Sequence, residues 1–289
     1  MKIALIAPSS PASELTPASL EKLHALFAER GCQIHVGSHA LDKDRYLAGC
    51  DADRAADIMR AFVDDSVDAV MTVRGGYGSP RILDKLDYAF LSQHRKPFFT
   101  FSDGTALQTA LYTRSGITGY SGVQATFWLP DQRAATCESF WRVVSGERVR
   151  VIGLKTVQTG RAQGVSVGGN LVVLTSLIGT PYFPDMTGKI LILEEVNEEP
   201  YKVDRMLAQL KLSGVLSQIA GLVLGDFSTC VAKSGKDGTI AEVLRDYTAS
   251  LQIPVASGLK YGHKNGEAVI PIGKPVCLNA NEGTFEEMK

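Results

Sequence analysis

The sequence predicts an α/β protein that begins with a doubly wound parallel sheet. Over roughly the first 130 residues, short apolar runs alternate with amphipathic helical patterns, which is the order of parallel strands joined by helices. The length of 289 residues is enough for two domains, and the pattern changes character beyond residue 129. We therefore expect a sheet domain over residues 1–135, a connector over 136–160 and a second domain over 161–289.

The elements of the N-terminal domain follow one another at short intervals. Its first helix begins at Pro17 after the capping residue Thr16 and ends at Gly31, with Leu20, Leu23, Leu26 and Phe27 on one face. The predicted strands cover residues 3–7, 32–36, 67–73, 97–101 and 117–120, and the predicted helices cover 17–30, 51–64, 80–91 and 105–114. Because doubly wound sheets bind ligands at the carboxyl ends of their strands, the loops after the strands are the candidate sites.

The second half of the chain mixes helices with strands and contains no internal repeat. A strong apolar run over 189–193 predicts a buried strand that leads into a pair of glutamates. Around 139–144 the pattern is helical, and the Gly- and Thr-rich stretch after it has little periodicity. The other predicted helices cover 171–178, 201–212 and 239–251, and the other predicted strands cover 219–224, 254–256 and the tail 268–278.

Composition and charge are typical of a soluble globular protein. Hydrophobic residues make up 45% and charged residues 21% of the chain, and no apolar run approaches the length of a membrane span. A net charge of −1 gives no reason to expect binding to nucleic acid or to an anionic membrane. The N-terminus runs directly into a strand pattern, so we expect no secretory signal. Five scattered cysteines without metal-ligand spacing indicate free thiols in a reducing cytoplasm and no metal site.

Ser102 lies at the sharpest corner of the predicted fold. It follows the apolar strand 97–101 and precedes a helix start at Asp103-Gly104-Thr105. A serine on such a turn presents its hydroxyl beside the backbone N–H groups of the helix N-terminus, as the nucleophile of an acyl transfer requires. The alternative is structural, because Ser102 or Asp103 could simply cap the helix.

A glycine-rich turn, Arg74-Gly75-Gly76-Tyr77-Gly78, follows the preceding strand. Its three glycines permit positive φ and close approach by a ligand, but it is not GxGxxG and lacks the lysine of a phosphate-binding loop. If the two strands are neighbours, the N–H groups of Gly76 and Asp103 would flank one point beside Ser102 and form an oxyanion hole. The alternative is a tight structural turn with a solvated Arg74.

A serine nucleophile needs a base, and the base needs an acid that orients it. Of the five histidines, His263 stands in the glycine-flanked loop 258–266, where it could face a cleft or be solvated. The acid could be any of Glu194, Glu195, Glu198 and Glu199, and a solvated strand end is the alternative. Side chains alternate along a strand, so Glu194 and Glu195 point opposite ways, but periodicity does not say which one faces the cleft.

Together these pieces resemble the LD-carboxypeptidases, a family of serine peptidases, over nearly the whole chain. Each motif is modest alone, and their order and spacing make the resemblance specific. The motifs are Ala7-Pro8-Ser9, the turn 73–78 with Arg81 and Asp84, Ser102-Asp103 with Thr105-Ala106, Gly168-Gly169-Asn170-Leu171, the stretch 177–181, Leu193-Glu194-Glu195 with Asn197-Glu198 and Pro200, Arg205-Met206-Leu207, and Gly262-His263.

The resemblance implies a Ser–His–Glu triad. Ser102 matches the nucleophile, His263 the general base that later acts as acid, and Glu194 the acid that orients the histidine. The implied fold is a flavodoxin-like N-terminal domain, which carries the serine, and a smaller β-rich C-terminal domain, which carries the glutamate and the histidine.

The reaction implied by the resemblance is hydrolysis of the L,D amide bond that releases terminal D-Ala from a murein tetrapeptide, in peptidoglycan recycling. The oxyanion site maps to the backbone of Gly76 and Asp103, and Arg74 and Asn170 are candidates for binding the substrate. The reaction needs no cofactor or metal. A homodimer is also implied, and the cytoplasmic location is the one expected above from the free thiols.

Two positions depart from the family pattern. Thr100 stands where glycine is usual two residues before the serine, and Gly122-Val123 replaces Gly-Pro. The first could alter the turn at the serine and the second the pocket wall, and neither removes a triad member. Two other functions stay open: a hydrolase of the same group that cleaves peptide–nucleotide antibiotic conjugates as self-immunity, and a non-enzymatic protein that binds a small ligand.

Overall fold

The computed structural model describes residues 1–129, 133–234 and 238–289. The chain divides into two compact units, Met1–Glu138 and Ser139–Lys289. Both units combine helices with sheet strands, so the predicted α/β class is confirmed. Within the described ranges, no helix is both long enough and apolar enough to cross a membrane.

The first unit is a parallel sheet with helices between its strands. The elements are β1 (Lys2–Ile6), α1 (Pro17–Ala28), β2 (Gln33–Val36), α2 (Asp51–Val63), β3 (Ala69–Thr72), a 3-10 helix (Ser79–Lys85), α3 (Tyr88–Leu91), β4 (Phe98–Thr100), α4 (Gly104–Ser115), β5 (Gly119–Ser121), a second 3-10 helix (Ala125–Trp128) and α5 (Ala134–Val144), which contains the division between the units. The strands of this unit run in the order β2-β1-β3-β4-β5, which is the flavodoxin-like order. All residues of β3, β4 and β5 are buried, which explains their apolar runs in the sequence.

One helix of the first unit differs from the prediction. Residues 80–91 form the first 3-10 helix and α3 rather than one continuous helix. The break lies at Leu86, which is extended, and at Asp87, whose carboxylate accepts a hydrogen bond from Phe90 N and starts α3 anew. The continuous helix was wrong because an aspartate side chain that bonds the local backbone competes with helix continuation.

The second unit is built on a mixed sheet. Its elements are β6 (Arg150–Ile152), β7 (Lys155–Gln158), β8 (Arg161–Asn170), α6 (Leu171–Thr175), β9 (Ile190–Glu194), α7 (Pro200–Leu212), α8 (Val215–Gln218), β10 (Gly221–Leu224), α9 (Ile240–Thr248), β11 (Val255–Ser257), β12 (Ile270–Ile272), β13 (Pro275–Asn279) and β14 (Thr284–Glu287). One sheet has the order β6-β14-β13-β8-β9-β10-β11-β7, with β8 to β11 parallel and the outer pairs antiparallel. Strands β6 and β7, at its two ends, lie inside the range 136–160 that we expected to be a connector.

Strand β9 carries the first of the paired glutamates into the interior of the second unit. All five of its residues are buried, including Glu194 at its end. In the parallel pairing with β8, Asn170 lies opposite Glu194, and Gly168 lies opposite Ile192. A Cβ on Gly168 would lie 1.9 Å from the Ile192 carbonyl oxygen, so glycine is required for this approach of the strands. The sheet thereby brings the side chains of Asn170 and Glu194 next to each other.

The threonine that departs from the family pattern is matched by a glycine in the next helix. Thr100 is fully buried, and its Oγ1 lies 3.0 Å from Thr72 Oγ1 on the neighbouring strand. A Cβ on Gly104 would lie 1.8 Å from Thr100 Oγ1. Thr100 therefore fits at this position because Gly104 has no side chain that would clash with it.

Gly104→Ala should destabilise the protein by about 1–3 kcal/mol, the usual cost of forcing a methyl group into a packed core. Combining it with Thr100→Gly, which removes the atoms that the new Cβ would meet, should cost less than the sum of the two single substitutions. Urea unfolding of both single variants and the double variant measures this difference. Additive losses would contradict the match between the two positions.

Candidate active site

Ser102 occupies a strained corner between β4 and α4. Its φ is +60°, a left-handed conformation that residues other than glycine rarely adopt. Thr105 N donates to the Ser102 carbonyl at 2.9 Å and closes the turn. Asp103 occupies the N-cap position of α4, but its side chain makes no capping hydrogen bond. The side-chain cap that the structural alternative assigns to Asp103 is therefore not observed. A serine at positive φ on a strand–turn–helix corner has the backbone geometry of a nucleophile elbow.

The Asp103 side chain instead links the loops around the serine. Its buried carboxylate accepts hydrogen bonds from Ser9 Oγ at 2.5 Å and from Ser79 N at 2.8 Å. Ser79 Oγ also donates to the Asp103 carbonyl at 2.5 Å. Burial raises the pKa of Asp103, against the effect of the hydrogen bonds from Ser9 and Ser79. The sequence assigned no role to Ser79, because a serine at a helix start is too common to be a signal.

The glycine-rich turn after β3 packs directly against Ser102. Strands β3 and β4 are neighbours in the sheet, as the predicted oxyanion hole requires. A Cβ on Gly75 would lie 2.8 Å from Ser102 Cβ and 3.1 Å from Ser102 Oγ. Gly76 has a φ of +115°, and a Cβ there would lie 2.3 Å from Ser10 Oγ. Both positions therefore require glycine, whereas the oxyanion role of the Gly76 and Asp103 N–H groups stays a prediction.

Gly75→Ala should lower kcat about 100-fold while the protein stays folded, because the new methyl group has to displace the serine side chain by a fraction of an ångström or more. Steady-state kinetics with the substrate that the family resemblance implies, together with circular dichroism, measure the two effects. Gly31→Ala is the control for stability alone, since nothing lies within 4 Å of its new Cβ and the strain of its φ of +68° should lower stability without lowering kcat. Unchanged turnover in Gly75→Ala would show that this contact does not position the serine.

Two arginines of the first unit are engaged by other parts of that unit. Arg74 Nη1 lies 2.7 Å from Glu14 Oε1, so any substrate carboxylate would compete with this ion pair, and the binding role of Arg74 stays a prediction. Arg54 is buried and donates to the carbonyl oxygens of Pro8 and Gly78, which connects the loops after β1 and β3. The sequence carries no signal for Arg54, because an arginine in a helix is usually exposed.

In the second unit, His263 and Glu194 form a hydrogen-bonded pair. His263 Nδ1 lies 2.8 Å from Glu194 Oε2. The glutamate side chain is 0% exposed and the histidine side chain 24% exposed. Because a carboxylate can only accept, this bond places a proton on Nδ1 and leaves Nε2 able to take up another. The pair has the geometry of a general base with the acid that orients it.

Asn170 connects the two adjacent glutamates. Its Nδ2 donates to Glu194 Oε1 at 3.1 Å and to Glu195 Oε1 at 3.0 Å. Its Oδ1 accepts from Val173 N at 3.3 Å, which caps α6. The side-chain amide has two N–H groups, and these two bonds use both of them. The contacts indicate that Asn170 orients the glutamates, whereas its predicted contact with substrate stays a prediction.

Glu195 has partners of a different kind. Its carboxylate accepts hydrogen bonds from Val172 N and Val196 N, each at 2.8 Å. Burial raises the pKa of Glu195, and the charge of Glu194 acts in the same direction. Strand alternation could not say which of the two glutamates faces the histidine. The contacts do, since Glu194 bonds His263 and Glu195 bonds the backbone.

The loop that carries the histidine is held by Asp226, which follows β10. Its Oδ2 accepts from Asn265 N at 3.0 Å and its Oδ1 from Ser228 N at 2.9 Å. Gly262 packs on the same residue, because a Cβ there would lie 2.5 Å from Asp226 Cβ. Burial opposes the charged form of Asp226, but the hydrogen bonds from Ser228 and Asn265 outweigh it and lower its pKa. Asp226 therefore positions the loop of His263, and its place directly after an apolar strand was the signal that could have revealed it.

One group of side chains in the described ranges has metal-ligand geometry, and it lies in the first unit. His39 Nδ1 is 2.8 Å from Asp42 Oδ2, and His39 Nε2 is 3.8 Å from Asp53 Oδ1. The hydrogen bond to Asp42 raises the pKa of His39, and the Asp53 charge adds to this effect while burial opposes it. The hydrogen bond between His39 and Asp42 holds this group together, and none of its members is a predicted site residue.

The chain matches family models for two domains. The LD-carboxypeptidase N-terminal domain matches residues 3–122, and the LD-carboxypeptidase C-terminal domain matches residues 163–278. A Bacillus subtilis protein named as a probable murein peptide carboxypeptidase is 36% identical to the chain, over 98% of the chain and 90% of that protein. The match thus extends over nearly the full length of both proteins.

Solved structures share the fold. The crystal structure of muramoyltetrapeptide carboxypeptidase from Oxalobacter formigenes has a TM-score of 0.89 and 31% identity, over 99% of this chain and 98% of that one. The microcin C7 self immunity protein MccF has a TM-score of 0.88 over 100% of this chain and 96% of that one, and at 22% identity this likeness shows the fold alone. The two domain matches and the 36% identical relative place this chain in the LD-carboxypeptidase family, as an enzyme of that family.

Proposed function

We propose that this LD-carboxypeptidase releases the terminal D-Ala of murein tetrapeptides by hydrolysing the amide bond that follows the L-centre of the third residue. The bond between His263 Nδ1 and the buried Glu194 carries the proposal, because it prepares a general base in a chain that holds Ser102 at a strained corner. The names of two similar proteins, for murein peptides and muramoyltetrapeptides, support this substrate class. The role is peptidoglycan recycling by a cytoplasmic homodimer.

The first half of the proposed reaction forms an acyl-enzyme. Ser102 Oγ attacks the carbonyl carbon while His263 Nε2 takes up the hydroxyl proton. Glu194 keeps the Nδ1 proton in place and stabilises the imidazolium that forms. The negative oxygen of the tetrahedral intermediate is bound by the N–H groups of Gly76 and Asp103.

The second half of the proposed reaction releases both products. His263 donates its proton to the amine of D-Ala, which leaves as the amide bond breaks. A water molecule then attacks the acyl group, His263 takes up a proton from that water, and the tripeptide is released with its carboxylate. Ser102 regains its proton from His263, so the cycle needs no other reactant.

The direct test is incubation of the purified protein with murein tetrapeptides that carry either L-Lys or meso-diaminopimelate at the third position. Mass spectrometry should show the tripeptide and free D-Ala in equal amounts for at least one of them. Intact tetrapeptide in both reactions, from folded protein, would rule out this activity.

A second candidate is cleavage of peptide–nucleotide antibiotic conjugates, and the fold shared with the self immunity protein MccF is the observation that favours it. The proposed triad would serve either substrate, so incubation with such a conjugate is the test. Family membership speaks against a non-enzymatic binding protein. A serine-directed covalent probe separates that case, because Ser102 should be labelled and His263→Ala should prevent the labelling.

A further inference from the structure

A buried arginine of α2 reaches two loops of the candidate active site. The Arg54 side chain is 0% exposed, and its Nη1 donates to the carbonyl oxygens of Pro8 and Gly78, the latter at 3.0 Å. Pro8 lies in the loop after β1, and Gly78 ends the glycine-rich turn after β3. A Cβ on Gly78 would lie 3.0 Å from Arg54 Nη1, so a glycine permits this close contact. Arg54 therefore links the two loops through their backbone.

Asp103 bonds the same two loops at the residues that come next in the sequence. Its Oδ2 accepts hydrogen bonds from Ser9 Oγ at 2.5 Å and from Ser79 N at 2.8 Å. The peptide unit between Gly78 and Ser79 is thus held at both ends, with the guanidinium of Arg54 at its oxygen and the carboxylate of Asp103 at its N–H. Because a peptide dipole is negative at the oxygen and positive at the N–H, both charges stabilise the same orientation of this unit.

The loops held in this way carry the two backbone N–H groups that are predicted to bind the oxyanion. One of them is the Asp103 N–H, and the other belongs to Gly76 in the glycine-rich turn. Gly76 packs on Ser10, since a Cβ there would lie 2.3 Å from Ser10 Oγ, and Tyr77 N donates to the same oxygen at 3.1 Å. The loop after β1, which Arg54 holds, therefore supports Gly76 directly.

We infer that Arg54 is a positioning residue for the acyl transfer, because it fixes the Gly76 N–H relative to the Asp103 N–H so that both point at the oxyanion. This inference rests on the proposed function. Stability alone does not call for a charge at this place, since buried ion pairs can often be replaced by apolar side chains without loss. Donors of an oxyanion hole, by contrast, have to be held to within about 0.5 Å before the transition state forms.

The test compares Arg54→Met and Arg54→Lys with wild type. Arg54→Met should lower kcat for D-Ala release about 100-fold and change KM by no more than about threefold, because the oxyanion exists only after the serine has attacked. Arg54→Lys should recover part of this loss, since its ammonium still donates to carbonyl oxygens, and it keeps the test decisive if the methionine variant does not fold.

Arg60→Met is the matched control on the same helix. Arg54 and Arg60 each pair with the aspartate three residues before them, but the Arg60 side chain is 55% exposed and its described hydrogen bond goes to Asp57 rather than to a loop of the site. Arg60→Met should therefore keep kcat within about twofold of wild type. Equal kcat losses in Arg54→Met and Arg60→Met, or an unchanged kcat in Arg54→Met, would overturn the inference.

Labelling of Ser102 by a fluorophosphonate separates positioning from a general loss of structure. The serine oxygen displaces fluoride at phosphorus, and the phosphoryl oxygen gains negative charge during the attack, so the labelling rate depends on the oxyanion donors. The final amount of labelled protein, in contrast, counts the folded sites. Arg54→Met and Arg54→Lys should label to completion, with the methionine variant slower by about 30- to 100-fold and the lysine variant by less.

The remaining outcomes distinguish this inference from the proposed function. A smaller final amount labelled at an unchanged rate would overturn the inference, because Arg54 would then only stabilise the fold. A wild type that is labelled at Ser102 but cleaves neither tetrapeptide would contradict the proposed function. The labelling rates of the Arg54 variants would then decide by themselves, since slower labelling supports the inference and equal rates overturn it. A wild type that is neither labelled nor active would contradict both.

Discussion

Ser102→Ala should reduce kcat for D-Ala release by about 10⁴-fold or more, while the midpoint of thermal unfolding changes by only a few degrees. The loss is expected because the proposed acyl-enzyme cannot form without the hydroxyl oxygen. The fold is expected to persist because the corner is held by its neighbours: Asp103 bonds Ser9 and Ser79, and Gly75 packs against residue 102. Single-turnover assays with a murein tetrapeptide, together with calorimetric unfolding, measure both quantities.

Ser115→Ala is the matched control for that experiment. Ser115 is a buried serine at the end of α4, the helix that begins beside Ser102, and its Oγ donates to the Leu111 carbonyl at 2.7 Å. Its loss should cost about 1 kcal/mol of stability and leave kcat within a factor of two or so. Near-normal D-Ala release by Ser102→Ala, with the control behaving as expected, would remove Ser102 from the mechanism.

Glu194→Gln should lower kcat by about 10³- to 10⁴-fold, with little change in KM. A glutamine has nearly the same shape, but its amide can present N–H groups to His263 Nδ1. The imidazole then carries its proton on Nε2, which is the nitrogen that has to take up the Ser102 proton. The new glutamine side chain has few other orientations, because the site is buried and Asn170 Nδ2 donates to the oxygen that faces away from His263. The glutamine oxygen should therefore face Asn170, and its NH₂ group should face His263.

Glu195→Gln is the control, since this neighbour has the same length and burial but bonds Val172 N and Val196 N. It should retain kcat within about tenfold and lose roughly 1–2 kcal/mol of stability, because charged acceptors of backbone N–H groups are replaced by a neutral one. Steady-state kinetics and urea unfolding of both variants provide the comparison. Losses of similar size in the two variants would mean that Glu194 has no special role in orienting the histidine.

Much of the sheet of the first unit could be predicted from the sequence, because its strands other than β2 are largely buried on both faces and appear as apolar runs between helices. The edges of the second sheet could not. Most residues of β6 and β7 are exposed, so these strands contain no apolar run and no clean alternation. Their place is decided by pairing with β14 and β11, which are distant in the sequence.

The types of the candidate catalytic residues were also accessible from the sequence, since a serine at a strand–helix corner, a histidine in a glycine loop and glutamates after a buried strand each stand in a distinctive context. Their partners were not. Arg74 pairs with Glu14, and Asp103 bonds Ser9 and Ser79, through folding of loops that the sequence does not relate to one another.

The sequence by itself determined the α/β class and the position of Ser102 at a sharp turn. Through the family resemblance it also implied a flavodoxin-like sheet and therefore its strand order. Periodicity could say only that Glu194 and Glu195 point to opposite faces of their strand. The tertiary structure decided that Glu194 meets His263, because the register of β8 against β9 places Asn170 opposite Glu194 and Asp226 holds the loop of His263. The alternation of side chains along a strand does not specify which face of the strand the rest of the chain will cover. The strand register and the loop contacts do specify it, and they are set by residues far apart in the sequence.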